Sequence, residues 1–166
     1  MQKRWTLVMF VAMLTCGAAA QVPTKGNVFF GYSYNRAEIV SNDATNLNGW
    51  DAELEGKLAP WVGIVGDLSG SYGHHIGEHD ILFGPRISVQ VKSYRPFAHL
   101  MIGAAHISLG SGASSDTSFG NAVGGGLDYR VAGPLSVRGQ LDWIHTRFFS
   151  NGQNDVRFST GIAVHF

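Results

Sequence analysis

Cysteine is nearly missing from this chain. The single Cys, Cys16, cannot close an internal disulfide or supply a cysteine zinc site. Charge is scarce too. Asp, Glu, Lys and Arg make up 14% of the 166 residues, against about 25% in ordinary soluble domains. Neither sign dominates, since 12 basic residues face 12 acidic ones. A nucleic-acid binder would show a basic excess, so that class is excluded. No apolar run approaches the ~18 residues of a spanning helix, which excludes a helical membrane protein. Apolar residues are nonetheless plentiful at 45%, so the chain is not intrinsically disordered. Its length suggests one domain.

The first residues have their own grammar. Lys3 and Arg4 open the chain, an apolar stretch runs from Trp5 to about Leu14, and Gly17-Ala18-Ala19-Ala20 follows. This is the order of a secretory signal peptide, with cleavage expected after Ala20. Residues 1–20 are then the signal and 21–166 the mature domain. A lipoprotein reading of Cys16 meets Thr15 and Met13 where the lipidation signal wants a small and an aliphatic residue. Cleavage leaves ten basic and twelve acidic residues, a net charge of −2.

Beyond Gln21 the dominant period is two, the period of a strand. Trp50, Ala52, Leu54, Gly56 and Leu58 alternate with Asp51, Glu53, Glu55 and Lys57. Near the end, Val156, Phe158, Thr160, Ile162, Val164 and Phe166 alternate with Arg157, Ser159, Gly161, Ala163 and His165. The same reading predicts eight strands over 27–36, 49–59, 62–72, 81–91, 96–107, 118–130, 135–147 and 156–166. Most exceed the ~5–6 residues of soluble sheets and match the ~9–11 of a tilted transmembrane strand. Short turns are expected at 59–61, 92–95 and 131–134, and longer polar loops at 37–48, 73–80, 108–117 and 148–155. Short turns at one end and longer loops at the other suit an all-β, eight-stranded, antiparallel, up-and-down transmembrane barrel. Both termini then lie on the periplasmic side.

Period two does not say which face points inward. One face carries Asp51, Glu53, Glu55, Lys57, Asp67, Arg86, Asp128, Arg130, Arg138, Asp142 and Arg157, which nearly neutralise one another. The other is aliphatic, with Leu54, Ile64, Leu68, Ile81, Phe83, Leu100, Ile102 and Leu141 among its members. Trp50, Tyr72, Phe119, Trp143 and Phe148 gather toward one set of strand ends and Trp61, Tyr129 and Phe166 toward the other, as interfacial girdles would. The charges are therefore expected inside and the aliphatics against lipid. The competing arrangement is a soluble exported barrel whose apolar interior holds a ligand.

With these features in place, residues 22–166 resemble the OmpA-type family of small eight-stranded outer-membrane barrels. The resemblance rests on Gly49-Trp50-Asp51-Ala52, Phe83-Gly84-Pro85-Arg86, Pro96-Phe97-Ala98-His99, Gly124-Gly125-Gly126-Leu127-Asp128 and the ending Phe158 to Phe166. It implies the outer membrane of a Gram-negative-type bacterium, with outer-membrane lipid and lipopolysaccharide as surroundings. It also implies that the barrel-assembly machinery reads Phe166 as its signal. The OmpA peptidoglycan-binding domain has no counterpart in the sequence, so anchoring to the cell wall is not carried over.

Four sets of residues could carry chemistry. Glu53, Glu55, Lys57, Asp67, Arg86, Arg138, Asp142 and Arg157 are expected to pair inside the lumen, because an unpaired ion there costs several kcal/mol. They would form either a plug or a gate for small solutes or ions. His74, His75 and His79, with Glu78 and Asp80, offer imidazole and carboxylate to a transition metal, but at no recognised spacing, so no metal or other cofactor is assigned. His145 is placed as in outer-membrane lipid A deacylases, yet Arg147 stands where their Ser would be and Asp142 points inward. The Ser111–Ser115 and Asp116 loop lacks an adjacent His base. The chain is therefore read as a monomeric, non-catalytic barrel with a structural or surface-interaction role. A narrow pore is the alternative, and the soluble ligand-binding barrel stands behind it.

Overall fold

A computed structural model describes residues 25–40, 43–73, 76–109, 114–148 and 151–166. Eight strands close into one antiparallel barrel in chain order. They are β1 (Gly26–Val40), β2 (Asp43–Ala59), β3 (Val62–Gly73), β4 (Ile76–Ser88), β5 (Tyr94–Leu109), β6 (Ser114–Ala132), β7 (Leu135–Phe148) and β8 (Asn151–His165). Each pairs with its sequence neighbour, and β1 pairs with β8 to close the ring. Closure removes the unpaired edges that an open sheet would leave.

The predicted strands are all present, but most are longer than expected. The segments expected as loops at 37–48, 73–80, 108–117 and 148–155 are largely strand. Their polar composition suggests loops, yet period two runs on through them. Gly77, His79 and Ile81 point outward while Glu78, Asp80 and Leu82 are buried. The hairpins therefore extend well past the apolar belt. β4 departs in the other direction. It stops at Ser88, and a tight reversal with a Val91–Tyr94 bridge leads into β5.

One end of the barrel carries the three short turns, Gly26 and Phe166. There the Gly26 amide donates to the Phe166 carbonyl at 2.9 Å. The β6–β7 turn passes through Gly133 at φ 50°, where a side chain would be strained and glycine is not. Lys92 holds a similar φ of 54° in the β4–β5 reversal, and Gln90 Nε2 donates to its carbonyl at 2.7 Å.

Side-chain placement is inside out relative to a soluble protein. Leu58, Phe30, Trp61 and Ile81 are exposed, each at 60% or more. Leu54, Ile64, Leu68, Phe83, Leu100, Ile102 and Leu141 join them in an outward apolar belt. Tyr72, Phe119 and Trp143 stand outward toward one end, and Trp61, Tyr129 and Phe166 toward the other. Trp50 is half-buried, and the Phe148 side chain lies outside those described. The charged face turns inward, with one correction. Arg130 is exposed at the terminal mouth rather than inside, because the strand pairing is shifted at Arg130 as the chain enters its turn.

The inner wall is not wholly polar. Val65, Leu82, Met101, Ala122 and Ile144 form a buried apolar cluster inside the barrel. Val65, Leu82 and Ile144 share their parity with a charged residue two positions away, Asp67, Asp80 and Asp142 respectively. An eight-stranded bore is narrow enough for side chains to fill it, and here they do.

Candidate functional site: the lumen

Three arginines organise the lumen, and all three are 0% exposed. Arg138 on β7 forks onto Asp128 of β6, with Nε to Oδ1 at 2.6 Å and Nη2 to Oδ2 at 3.0 Å. Its Nη1 crosses to Glu53 Oε2 on β2 at 2.5 Å, and its Nη2 reaches Asn27 Oδ1 on β1 at 2.9 Å. Four strands are thus tied by one guanidinium, which a planar fork of donors allows and an ammonium would not.

Arg86 on β4 shares the same carboxylate, with Nη2 to Glu53 Oε1 at 2.8 Å. Both guanidiniums lie over aromatic rings. Arg86 sits 4.3 Å from the centroid of Phe97, and Arg138 lies 4.7 Å from Phe97 and 5.0 Å from Phe29. These rings shield the ions from any residual water and add cation–π attraction.

Arg157 on β8 spans the bore to β3. It forks onto Asp67 at 2.5 and 3.2 Å and donates to Ser69 Oγ at 2.6 Å. It also donates to Asp142 Oδ2 on β7 at 3.0 Å.

His99 joins the two arginine systems. Arg86 Nε donates to His99 Nδ1 at 3.3 Å, and His99 Nε2 lies 2.7 Å from Asp142 Oδ1. Arginine can only donate, so Nδ1 accepts and Nε2 carries the hydrogen that Asp142 receives. A continuous chain of contacts therefore runs Glu53–Arg86–His99–Asp142–Arg157–Asp67. Gln140 braces it by donating from Nε2 to Asp51 Oδ2 and Glu53 Oε1, both at 3.0 Å. Gly124 makes room for this crossing. A β-carbon there would fall 2.0 Å from Asp142 Oδ1 and 2.6 Å from the Leu141 carbonyl.

Toward the terminal mouth, Glu55 gathers Lys57 Nζ at 2.6 Å, Arg95 Nη2 at 3.4 Å and Asn27 Nδ2 at 2.7 Å. Beyond them opens a cavity of about 540 Å³, bordered by Lys25, Lys57, Arg95, Arg130 and His165.

The alternation of residues singles out Glu53, Glu55, Lys57, Asp67, Arg86, Arg138, Asp142 and Arg157. The structure puts all eight inside the barrel and gives each an ionic partner. Sequence reasoning misses His99, Gln140 and Asn27. Their inward parity is the available signal, but neutral polar residues do not stand out among charges. Glu78 and Asp80, expected in a loop, are buried in the lumen.

The histidine group does not assemble among the described residues. His74 and His75 lie outside them. His79 points outward and contacts the Tyr72 hydroxyl at 3.0 Å, on the opposite face from Glu78 and Asp80. His145 lies 2.9 Å from Asn154 Oδ1, and Asp142 is on the other side of the wall from it. The 111–113 part of the serine cluster is also outside the described residues, while Asp116 bonds the Thr117 amide at 2.9 Å.

No family model matches the sequence, and no curated protein matches it. Solved structures do. Neisserial surface protein A superimposes with a TM-score of 0.72 at 13% identity, over 85% of this chain and 97% of that one. The fold is that of the small eight-stranded outer-membrane barrels. The attachment invasion locus protein Ail of Yersinia pestis gives a TM-score of 0.61 at 13% identity, over 86% and 98% of the two chains. The outer-membrane protein OprG of Pseudomonas aeruginosa gives 0.59 at 10% identity, over 87% and 97%. At the level of fold, these likenesses bear out the OmpA-type resemblance.

Proposed function

We propose that the chain is an outer-membrane barrel whose lumen is closed, and that it serves a structural or surface-interaction role without catalysis. The observation that carries this reading is the pairing of an apolar exterior with Arg86, Arg138 and Arg157 at 0% exposure across the bore. A contiguous outward apolar belt of this size needs lipid. In lipid, only a helix or a closed barrel satisfies every backbone group. The soluble ligand-binding barrel would need the apolar face inside.

A water-filled passage would wet the guanidiniums at its narrowest level. They are dry, and their ion pairs bridge strands on opposite sides of the ring. The plug therefore takes precedence over a standing pore. Residues 1–20 act as the export signal and Phe166 as the mark read by the assembly machinery. Residues 25–26 and 166 face the periplasm, and the extended hairpins reach outward past lipopolysaccharide. The names of two proteins sharing the fold, a surface protein and an attachment invasion protein, support a surface role.

The test has two parts. Outer-membrane fractions are run on detergent gels with and without boiling, where a heat-dependent mobility shift is expected. Purified protein is then inserted in planar bilayers, where no steady open level is expected. A protein found soluble in the periplasm without a shift would overturn the placement. A large, stable conductance from wild-type protein would overturn the plug.

A further inference from the structure

The two ends of the lumen differ in their ionisable groups, and the far half holds more carboxylates than cations. Among the described side chains there, Asp51, Asp67, Glu78, Asp80 and Asp142 lie about a single guanidinium, Arg157, and Asp155 is buried in the same half. All six carboxylates are at most 3% exposed. His99 does not add a cation here, since its Nδ1 accepts from Arg86. Buried carboxylates in this excess are costly without a counter-charge.

The same region holds oxygens that nothing satisfies. Asp51 Oδ1, Gln140 Oε1, Ser33 Oγ and Ser159 Oγ are buried and make no hydrogen bond. They form one patch of wall. Ser33 pairs with Ser159 across the β1–β8 seam, Ser159 pairs with Gln140 across β7–β8, and Gln140 reaches Asp51. Buried polar atoms almost always have a partner, so four orphans side by side point to something bound. One oxygen from each of Asp51, Asp67 and Asp142 also lies within 4.8 Å of the others. Two ligands each about 2.4 Å from a common calcium ion stand at most about 4.8 Å apart.

We propose that the far half of the lumen binds a hard divalent cation of the calcium type, held by Asp51, Asp67 and Asp142 with Ser33, Ser159 and Gln140 oxygens completing the shell. Calcium accepts six to eight oxygens in flexible geometry, and carboxylate, amide carbonyl and hydroxyl are its ordinary ligands. The absence of imidazole or thiolate from the set disfavours the softer transition metals. The ion supplies the positive charge that Arg157 alone does not, and it knits β1, β2, β3, β7 and β8 together. This goes beyond the closed-lumen reading, which stands or falls separately on conductance.

The test uses the full barrel refolded without lipopolysaccharide in zwitterionic detergent and stripped with a chelator. Calcium chloride alone is the probe. Expected are a saturable one-to-one binding heat and a rise in the temperature at which the unboiled gel form is lost. Asp51→Asn should abolish both, and Asp116→Asn should keep both. Should Asp51→Asn yield no folded gel form, Ser159→Ala serves in its place, with weakened calcium binding expected. No binding heat from wild-type protein overturns the proposal. So does an equal stabilisation by sodium chloride at matched ionic strength, or calcium binding that survives every lumen substitution.

Discussion

The terminal half of the lumen and the far half use the same chemistry to different ends. In the terminal half, Glu53, Glu55 and Asp128 meet Arg86, Arg138, Lys57 and Arg95, and Glu53 and Glu55 each have at least two of these cations as partners. In the far half, Arg157 is the one described guanidinium serving Asp67 and Asp142, His99 adds a single contact to Asp142, and Asp51 and Asp80 each keep an oxygen with no donor. The first is a plug whose carboxylates all pair, with Arg86 Nη1 its one buried donor lacking a hydrogen bond among the described residues. The second is an incomplete one, built as though a further positive charge belongs there. The difference teaches that burial does not by itself make an ion pair structural. What matters is whether the local charge closes.

The comparison is broken most severely at Arg157. Arg157→Leu leaves Asp67 and Asp142 buried without their guanidinium. Removing one partner of a buried pair costs about 3–5 kcal/mol, and here two carboxylates lose theirs. Urea titration of the gel-mobility shift in lipid vesicles should show this as the largest loss of the series. A loss below that of any terminal-half variant would mean that the far half is balanced after all.

Glu53→Gln tests the terminal half. Glu53 accepts from Arg86, Arg138 and Gln140, so its neutralisation takes a carboxylate partner from two guanidiniums at once, leaving Arg138 to Asp128 and Arg86 to the longer Glu55 contact. A destabilisation of about 3 kcal/mol is expected by the same reasoning. The same titration reads it, and planar-bilayer recording should now show openings, because Glu53 is the anion that holds both arginines across the bore.

Much of this is legible in the alternation of residues. Period two identifies the strands, and the two faces of β2, Trp50 to Leu58 against Asp51 to Lys57, separate lipid from lumen by pattern alone. The stagger of the closed ring is not legible. That Arg157 meets Asp67, 90 positions away, depends on that stagger, and no local pattern encodes it. Glu78 and Asp80 are hidden for another reason. Gly73 to Asp80 is rich in glycine and histidine and reads as loop by composition, while only the alternation from Gly77 to Asp80 betrays a strand. His99 lies in one of the family-like segments, but a lone histidine on an inner wall declares no partner.

Asp80→Asn turns the comparison around. In the terminal half, losing a carboxylate costs stability. In the far half, losing one relieves repulsion among Asp51, Asp67 and Glu78, at the expense of a weak 3.3 Å contact from Ser69. In chelator, a gain of about 1 kcal/mol is expected, since the hydrogen bond given up is a modest one. A loss of stability in chelator would show that Asp80 already has its counter-charge.

The smallest effect is expected at the terminal mouth, where the plug meets water. Lys57 pairs with Glu55 at 2.6 Å and donates to Ser88 Oγ at 2.6 Å, but its side chain keeps 11% of its exposure. Arg86 and Arg95 remain beside Glu55 when Lys57 is removed. Lys57→Met should therefore cost less than about 1 kcal/mol, in the range of solvent-screened pairs. Raising the salt concentration should shrink the cost further, whereas the cost of Glu53→Gln should hold, because dry pairs are poorly screened. The two salt dependences, measured side by side by urea titration, locate the depth at which the lumen stops behaving as solvent and starts behaving as protein interior.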